Sequence, residues 1–271
     1  MHDPMGELKL GQTQAYVEHY DAALLQPIPR DLSRRQLPSV DFFGADVWTA
    51  YELSWLAPGG KPQVAIAEFT IPSSSANLIE SKSFKDYLNS FNQTEVESWQ
   101  ALQSLLIRDL SVVAGGTVAV KLFELTEFDE RRRAKPPESV LLDTLPLQNI
   151  VLEPSADLLI VADESFTGVW CSHLLKSNCP VTGQPDWASL WLGWQGLGIQ
   201  PESLLRYIVS YRQHQDFHEN CVERIFTDLA AVGRPESFWV YARYTRRGGL
   251  DINPFRSSQP MDAPLWLAPR Q

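Results

Sequence analysis

The second half of this 271-residue chain repeats the first at a nearly constant offset. Val47-Trp48 aligns with Val169-Trp170 at 122, YLNSFNQ (87–93) with YIVSYRQ (207–213) at 120, Asp109-Leu110 with Asp228-Leu229 at 119, and Val120 with Val240 at 120. Four matches in one order with small drift mark a duplicated unit, which must supply the same elements twice. In the first copy, VWTAYELSWLAPGGKPQVAIAEFTI reads as two strands about a Pro-Gly-Gly turn. ESKSFKDYLNSFNQTEVESWQALQSLLIRDLSVVAGG follows with helical spacing and a Gly115-Gly116 stop, and TVAVKLFELTEF returns to strand alternation. In the second copy, VWCSHLLKSNCPVTGQPDWASLWLGWQG is strand, loop, strand. PESLLRYIVSYRQHQDFHENCVERIFTDLAAVG is a helix pair ending at Gly233, and ESFWVYARYTRRGG is a strand with LDINPFRS as its hairpin partner. The predicted class is α+β: two modules, 1–163 and 164–271, each an antiparallel sheet backed by a helix pair. The stretch 127–165 has no counterpart and is predicted as a linker with two strands, VLLDTL and NIVLE, and a solvated loop at RRR, 131–133.

Composition narrows the class of activity. No apolar run approaches the roughly 20 residues of a membrane-spanning helix. MHDPMGELKLG has neither a basic nor an apolar signal region, so a cytoplasmic protein is predicted. Three cysteines, Cys171, Cys179 and Cys221, with no CxxC pair argue against a disulfide framework. A formal charge of −10 disfavours a broad nucleic-acid surface, although RDLSRR, RRR and RYTRRGG are local basic clusters.

The repeat also isolates the reactive residues. SHLLKSNCPVTGQPDW places Asp186 seven positions after Cys179. Ala57-Pro58 falls opposite Cys179-Pro180, and Pro62-Gln63 opposite Pro185-Asp186. The turn scaffold is kept in both halves, while thiol and carboxylate occur in one. Cys179 is predicted in an exposed loop, where it is either a nucleophile with a nearby base or positive field, or a loop cysteine beside a turn aspartate. Cys171 and Cys221 fit the core.

His218 shares an apolar stripe with Leu204, Ile208, Tyr211, Val222, Ile225 and Leu229, so it faces inward as a core histidine or a site residue. Glu219 can accept two N–H bonds from a guanine-like ring or be a solvated helix glutamate. ESKSFK (80–85) offers Ser, backbone N–H groups and Lys82 and Lys85 at a helix start, which suits a phosphate or an ordinary N-cap. Arg246, Arg247 and Gly248 are a second anionic grip. No G-x-G-x-x-G follows a strand, which excludes a Rossmann dinucleotide site. Cys171, His173 and Cys179 make a weak zinc signature.

SHLLKSNCPVTGQPDW, LIESKSFKDYLNSFNQT, FHENCVERIF and YARYTRRGGLDINPFRS together closely resemble the long, two-module NADPH-dependent 7-cyano-7-deazaguanine reductases, nitrile reductases of queuosine biosynthesis. The resemblance implies tandem tunnelling-fold (T-fold) modules. It implies Cys179 as nucleophile, Asp186 as general acid and His218 beside them in catalysis. Ile79, Glu80, Ser81, His218 and Glu219 would contact 7-cyano-7-deazaguanine, and Ser81, Lys82, Arg247 and Gly248 would hold NADPH. It further implies a covalent thioimide, two NADPH per turnover, no metal, no direct nucleic-acid or membrane partner, and a homodimer with sites shared across a subunit boundary. Three other readings use the same residues: a thiol-dependent nitrile or amidine hydrolase, a non-catalytic purine- or pterin-binding module, and a zinc-dependent cyclohydrolase.

Overall fold

The computed structural model describes residues 17–131, 134–268 and 270–271. They form an α+β protein of two compact units. One contains the described residues up to Leu32, those from Val47 to Arg133, and Arg246–Asp251; the other contains Ser33–Asp46, Ala134–Thr245 and Ile252–Gln271. MHDPMGELKLG lies outside the described residues, and so do Arg132 and Arg133 of the RRR loop.

The elements of the first half run β1 (Pro27–Pro29), α1 (Asp31–Arg34), β2 (Phe43–Leu56), β3 (Pro62–Pro72), β4 (Asn77–Ile79), α2 (Ser81–Asn89), α3 (Trp99–Ala114), β5 (Ala119–Phe123) and α4 (Leu125–Arg131). The first unit's sheet has the order β5-β3-β2, and β1 pairs separately with β4. β3 and β5 are antiparallel, with Phe69 opposite Val120. The predicted strand TVAVKLFELTEF ends at Phe123, because the chain turns into α4. Sheet and helix meet through aromatic edges: Phe84 of α2 lies 5.1 Å from Trp48 and 5.0 Å from Phe69, centroid to centroid. Such pairs contribute about 0.5–1.5 kcal/mol each beyond their buried area. Ser98 caps α3 by accepting the Ala101 N–H, and Gly115 ends it at φ 64°, the left-handed conformation that glycine adopts without strain.

The second half contains β6 (Val140–Leu141), β7 (Val161–Ser172), β8 (Lys176–Asn178), β9 (Pro185–Ile199), α5 (Pro201–Ser210), α6 (His218–Gly233), β10 (Ser237–Tyr244) and β11 (Leu250–Ser257). Within the second unit the strand order is β11-β10-β9-β7-β6, with β8 on β9. The pairs are antiparallel except β6–β7, which is parallel. One sheet face packs on α5 and α6, where Phe226 stacks on Phe238 at 4.2 Å. The other face, Cys171, Trp191, Tyr241 and Phe255, is covered by Trp266 and Ala268.

Residues 134–163, grouped with the first module by the repeat, pack in the second unit, where Leu142 and Leu159 join the core. VLLDTL keeps only the strand Val140–Leu141 before a 3-10 turn. NIVLE forms no strand, and Ile150, Val151 and Leu152 are exposed, so their apolar run has no sheet face to cover.

The aligned positions make the same bonds in both units. Tyr87 donates its hydroxyl to Asp109 Oδ2 at 2.9 Å, and Tyr207 donates to Asp228 Oδ2 at 2.7 Å. Ser90 Oγ donates to the Tyr87 carbonyl and Ser210 Oγ to the Tyr207 carbonyl, each at 2.6 Å. The duplication is thus one of interactions as well as of residue types. The second unit adds a buried ion cluster: Arg256, 0% exposed, contacts Asp46 at 2.8 Å and Glu223 at 2.7 Å, and Arg34 reaches Glu223 at 2.7 Å. Burying Arg256 is tolerable because two carboxylates compensate its lost hydration.

Candidate active site

The β8–β9 hairpin explains the spacing of thiol and carboxylate. Its register sets Lys176 opposite Trp187, Ser177 opposite Asp186 and Asn178 opposite Pro185. Ser177 and Cys179 are two apart and share a face, and Asp186, opposite Ser177, lies on that face too. The turn is closed twice, by Cys179 N–H to the Gln184 carbonyl at 2.8 Å and by Gly183 N–H to the Cys179 carbonyl at 3.0 Å. Gly183 sits at φ +66°, where other residues are strained.

Cys179 is 8% exposed, not the open loop residue its polar neighbours predict. The turn folds back over the sulfur. Burial pushes the thiol pKa up, but the Thr182 hydroxyl and the backbone N–H groups of Thr182 and Val181 hydrogen-bond to the sulfur. These bonds outweigh both burial and the opposing charge of Asp186, and the net pKa falls below that of an ordinary thiol. Cys171, pushed up to about 12 mainly by burial, and Cys221, raised well above the ordinary value by burial, are inert core thiols, as expected.

Asp186 is 4% exposed. His218, the first residue of α6, brings Nε2 to 3.4 Å from Asp186 Oδ2. Its ring lies flat on Tyr244, 3.7 Å between centroids and 4° between planes, and Nδ1 faces the Ile252 carbonyl at 3.3 Å. Glu219, 3% exposed, is not a solvated helix glutamate. It sits in the first turn of α6, where the helix dipole favours a carboxylate. The second unit therefore brings Cys179, Asp186 and His218 together around one hairpin, with Tyr244, Ser177 and Thr182 as neighbours that no motif had marked.

The remaining predicted residues belong to the first unit. Ile79 and Glu80 are buried. Glu80 is the N-cap of α2, its carboxylate accepting the Lys82 N–H at 2.9 Å and the Ser83 N–H at 2.6 Å. The helix-start amides expected to seat a phosphate are thus already bonded to Glu80. Ser81 and Lys82 are half-buried.

The RRGG turn lies against α2. A Cβ on Gly248 would sit 3.4 Å from Lys85 Cδ, and Gly248 and Gly249 have φ +60° and +74°. Arg246 lies over the Tyr51 ring at 4.6 Å, and the Tyr51 hydroxyl donates to Asp251 at 2.7 Å. Lys85, Arg246 and Arg247 thus gather around a glycine turn without side chains to block approach, a donor set that fits the phosphates of NADPH.

A family model described as "Nitrile reductase, 7-cyano-7-deazaguanine-reductase N-term" matches residues 16–122, and one described as "QueF-like protein" matches 185–262. A relative from Saccharophagus degradans, named NADPH-dependent 7-cyano-7-deazaguanine reductase, is 52% identical over 98% of this chain and 100% of its own length. Relatives of the same name from Teredinibacter turnerae and Cupriavidus taiwanensis are 53% and 54% identical, covering 93% and 92% of this chain and 92% of each relative. At more than half identity over nearly its whole length, the chain belongs to the family of NADPH-dependent 7-cyano-7-deazaguanine reductases.

Proposed function

We propose that this chain reduces the nitrile of 7-cyano-7-deazaguanine to the primary amine of 7-aminomethyl-7-deazaguanine, a step of queuosine biosynthesis, with Cys179 as covalent nucleophile. One observation carries the reading: of three thiols, Cys179 alone has a depressed pKa, and its hairpin sets Asp186 on the same face. Sulfur adds to the nitrile carbon, converting C≡N to C=N. Asp186 gives its proton to the nitrile nitrogen as the C–S bond forms, leaving a neutral thioimide. NADPH, when bound, supplies the hydride for each of two reductions. Between them Cys179 releases the carbon as the C–S bond breaks and sulfur takes back the electron pair. The nitrogen gains two protons in all, so Asp186 must be reprotonated within a turnover.

His218 is placed for that task. The Ile252 carbonyl can only accept, so Nδ1 carries a hydrogen and Nε2 faces Asp186. Nε2 and a carboxylate oxygen approach favourably only with a proton between them. Glu219 and Glu80 are the acceptors for the N–H groups of the deazaguanine, Glu80 retaining lone pairs beyond those its helix uses, with Ile79 and Ser81 beside it. Ser81, Lys82, Arg247 and Gly248 hold NADPH, with Lys85 and Arg246 adjacent.

Each unit is read as a T-fold module; the repeated Tyr–Asp and Ser–carbonyl bonds support this. Cytoplasmic location and a homodimer complete the proposal; among the described residues no helix is long and apolar enough to cross a membrane. NADPH oxidation in the presence of the nitrile tests the activity. Two equivalents should be consumed per substrate, and a Cys179→Ala protein that still consumed NADPH with this nitrile would overturn the mechanism.

A further inference from the structure

The β10–β11 ladder carries backbone pairing from Trp239–Ser257 as far as Tyr241–Phe255. The next residue of β11 is Pro254, which has no N–H to give. Extended past the proline, the same register would set Tyr244 opposite Ile252. These two residues hold the His218 ring, Tyr244 through the stack and Ile252 through its carbonyl. Side chains take over where the ladder stops. The Tyr244 N–H donates to Asn253 Oδ1 at 3.0 Å, and Gln271 Nε2 donates both to Asn253 Oδ1 at 2.7 Å and to the Tyr244 carbonyl at 3.1 Å. Gln271 Oε1 accepts the Arg243 Nε–H at 2.7 Å and the Ala268 N–H at 3.0 Å. Two donors meet the oxygen and two acceptors meet the nitrogen, so the amide has a single orientation. Tyr244 and Asn253 are fully buried, where a polar group stripped of its partner costs most.

Resting on the proposed role of His218, we propose that Gln271 is a positioning residue for the reduction: its amide ties Tyr244 to Asn253 and so holds the face and the edge of the His218 ring. The segment that carries Gln271 is anchored separately. Arg270 Nη2 donates to the Ala188 carbonyl at 2.7 Å, the His173 carbonyl at 3.0 Å and Ser189 Oγ at 3.1 Å. Trp266 and Ala268 pack on the sheet face with Trp191 and Tyr241. Loss of the amide therefore leaves the segment attached, while β10 and β11 lose the bonds that join them beyond Pro254. Tyr244 and Ile252 are then free to part. The ring between them tilts, and Nε2 leaves its 3.4 Å approach to Asp186 Oδ2. Gln271 acts through the ring rather than on the reacting atoms.

The test uses the full chain and two variants. Gln271→Met keeps the length of the side chain and removes these four bonds. Gln271→Glu still accepts from Arg243 and Ala268 but sets an oxygen against the Tyr244 carbonyl and Asn253 Oδ1; it decides the outcome if the Met variant does not fold. The first readout is the proton NMR spectrum of the histidine rings, with neither nitrile nor NADPH present and His218 assigned by its loss in His218→Gln. A ring lying flat on Tyr244 has its Cε1–H and Cδ2–H signals shifted upfield, and in the variants these signals should move downfield. The second readout is NADPH oxidation with 7-cyano-7-deazaguanine, whose kcat should fall by about 10²-fold, the cost of a misplacement of about 1 Å. Both are taken well below the unfolding midpoint of each variant, where a role in stability alone would move neither. Unchanged His218 signals would overturn the assignment. Because the first readout needs no nitrile, it separates a failed clamp from a failed reading of His218: moved signals with an unchanged kcat would refute the latter, and with it the purpose assigned to Gln271.

Discussion

His218 Nε2 stands 3.4 Å from Asp186 Oδ2 while Nδ1 of the same ring faces the Ile252 carbonyl. The carbonyl fixes which nitrogen is the donor, and Tyr244, stacked flat on the ring, fixes its plane. A histidine held at both edge and face keeps one nitrogen aimed at the Asp186 carboxyl group, the proposed proton donor. The hairpin aims Asp186 and the thiol at the same side. These two restraints, one from α6 and one from β8–β9, are the geometry on which the proposed proton delivery beside a nucleophilic Cys179 rests.

Replacing Asp186 with Asn keeps the shape and removes the acid. Covalent adduct formation with the nitrile should slow by about 10²–10⁴-fold, the usual contribution of a positioned general acid. The appearance of adduct against time, by rapid quench and mass spectrometry, measures it; a rate within threefold of wild type would show that the proton comes from elsewhere.

Alkylation of the folded protein near neutral pH should modify Cys179 well ahead of the other two thiols. Hydrogen bonds lower its pKa, while burial raises those of Cys171 and Cys221. Peptide mapping after a short exposure to iodoacetamide gives the order, and early labelling of Cys221 would be inconsistent with its burial.

Glu223→Gln should destabilise the protein by about 3–5 kcal/mol, because Arg256 would keep only Asp46 as a charged partner among those described here. Burial raises the Glu223 pKa, but Arg256 and Arg34 together hold it below the ordinary 4.5. With the folded value below the unfolded one, its stabilisation is complete above about pH 4.5 and is lost as pH falls through the folded value. Denaturant midpoints across pH 3–7 should therefore fall more steeply on the acid side for wild type than for the variant.

Arg247→Ala should raise the NADPH KM by about tenfold or more, the cost of one charged hydrogen bond to phosphate, and leave adduct formation without cofactor unchanged. Steady-state kinetics and the cofactor-free adduct rate separate the two. A slower adduct rate in this variant would mean the turn acts on the nucleophile instead.

The repeat was legible because duplicated residues carry duplicated bonds. Tyr87 and Tyr207, Asp109 and Asp228, and Ser90 and Ser210 match in sequence since each pair satisfies the same buried polar groups. The Cys179-to-Asp186 spacing was legible for a similar reason, as a short hairpin sets its own register. Partners remote in sequence left no local trace: Arg256 with Asp46 and Glu223, the Tyr244 stack on His218, and the packing of 134–163 in the second unit. The burial of Cys179 was hidden too, since a polar sequence does not reveal that a turn folds back over its first residue. Glu80 was expected near a ligand, but only the backbone geometry shows its carboxylate on the α2 amides.

The most direct measurement is intact mass after mixing the protein with 7-cyano-7-deazaguanine in the absence of NADPH. Wild type should gain the whole mass of the nitrile, since thiol addition expels nothing, and Cys179→Ala should gain none. An unmodified wild type at saturating nitrile, or the same mass gain on Cys179→Ala, would contradict covalent catalysis by this sulfur.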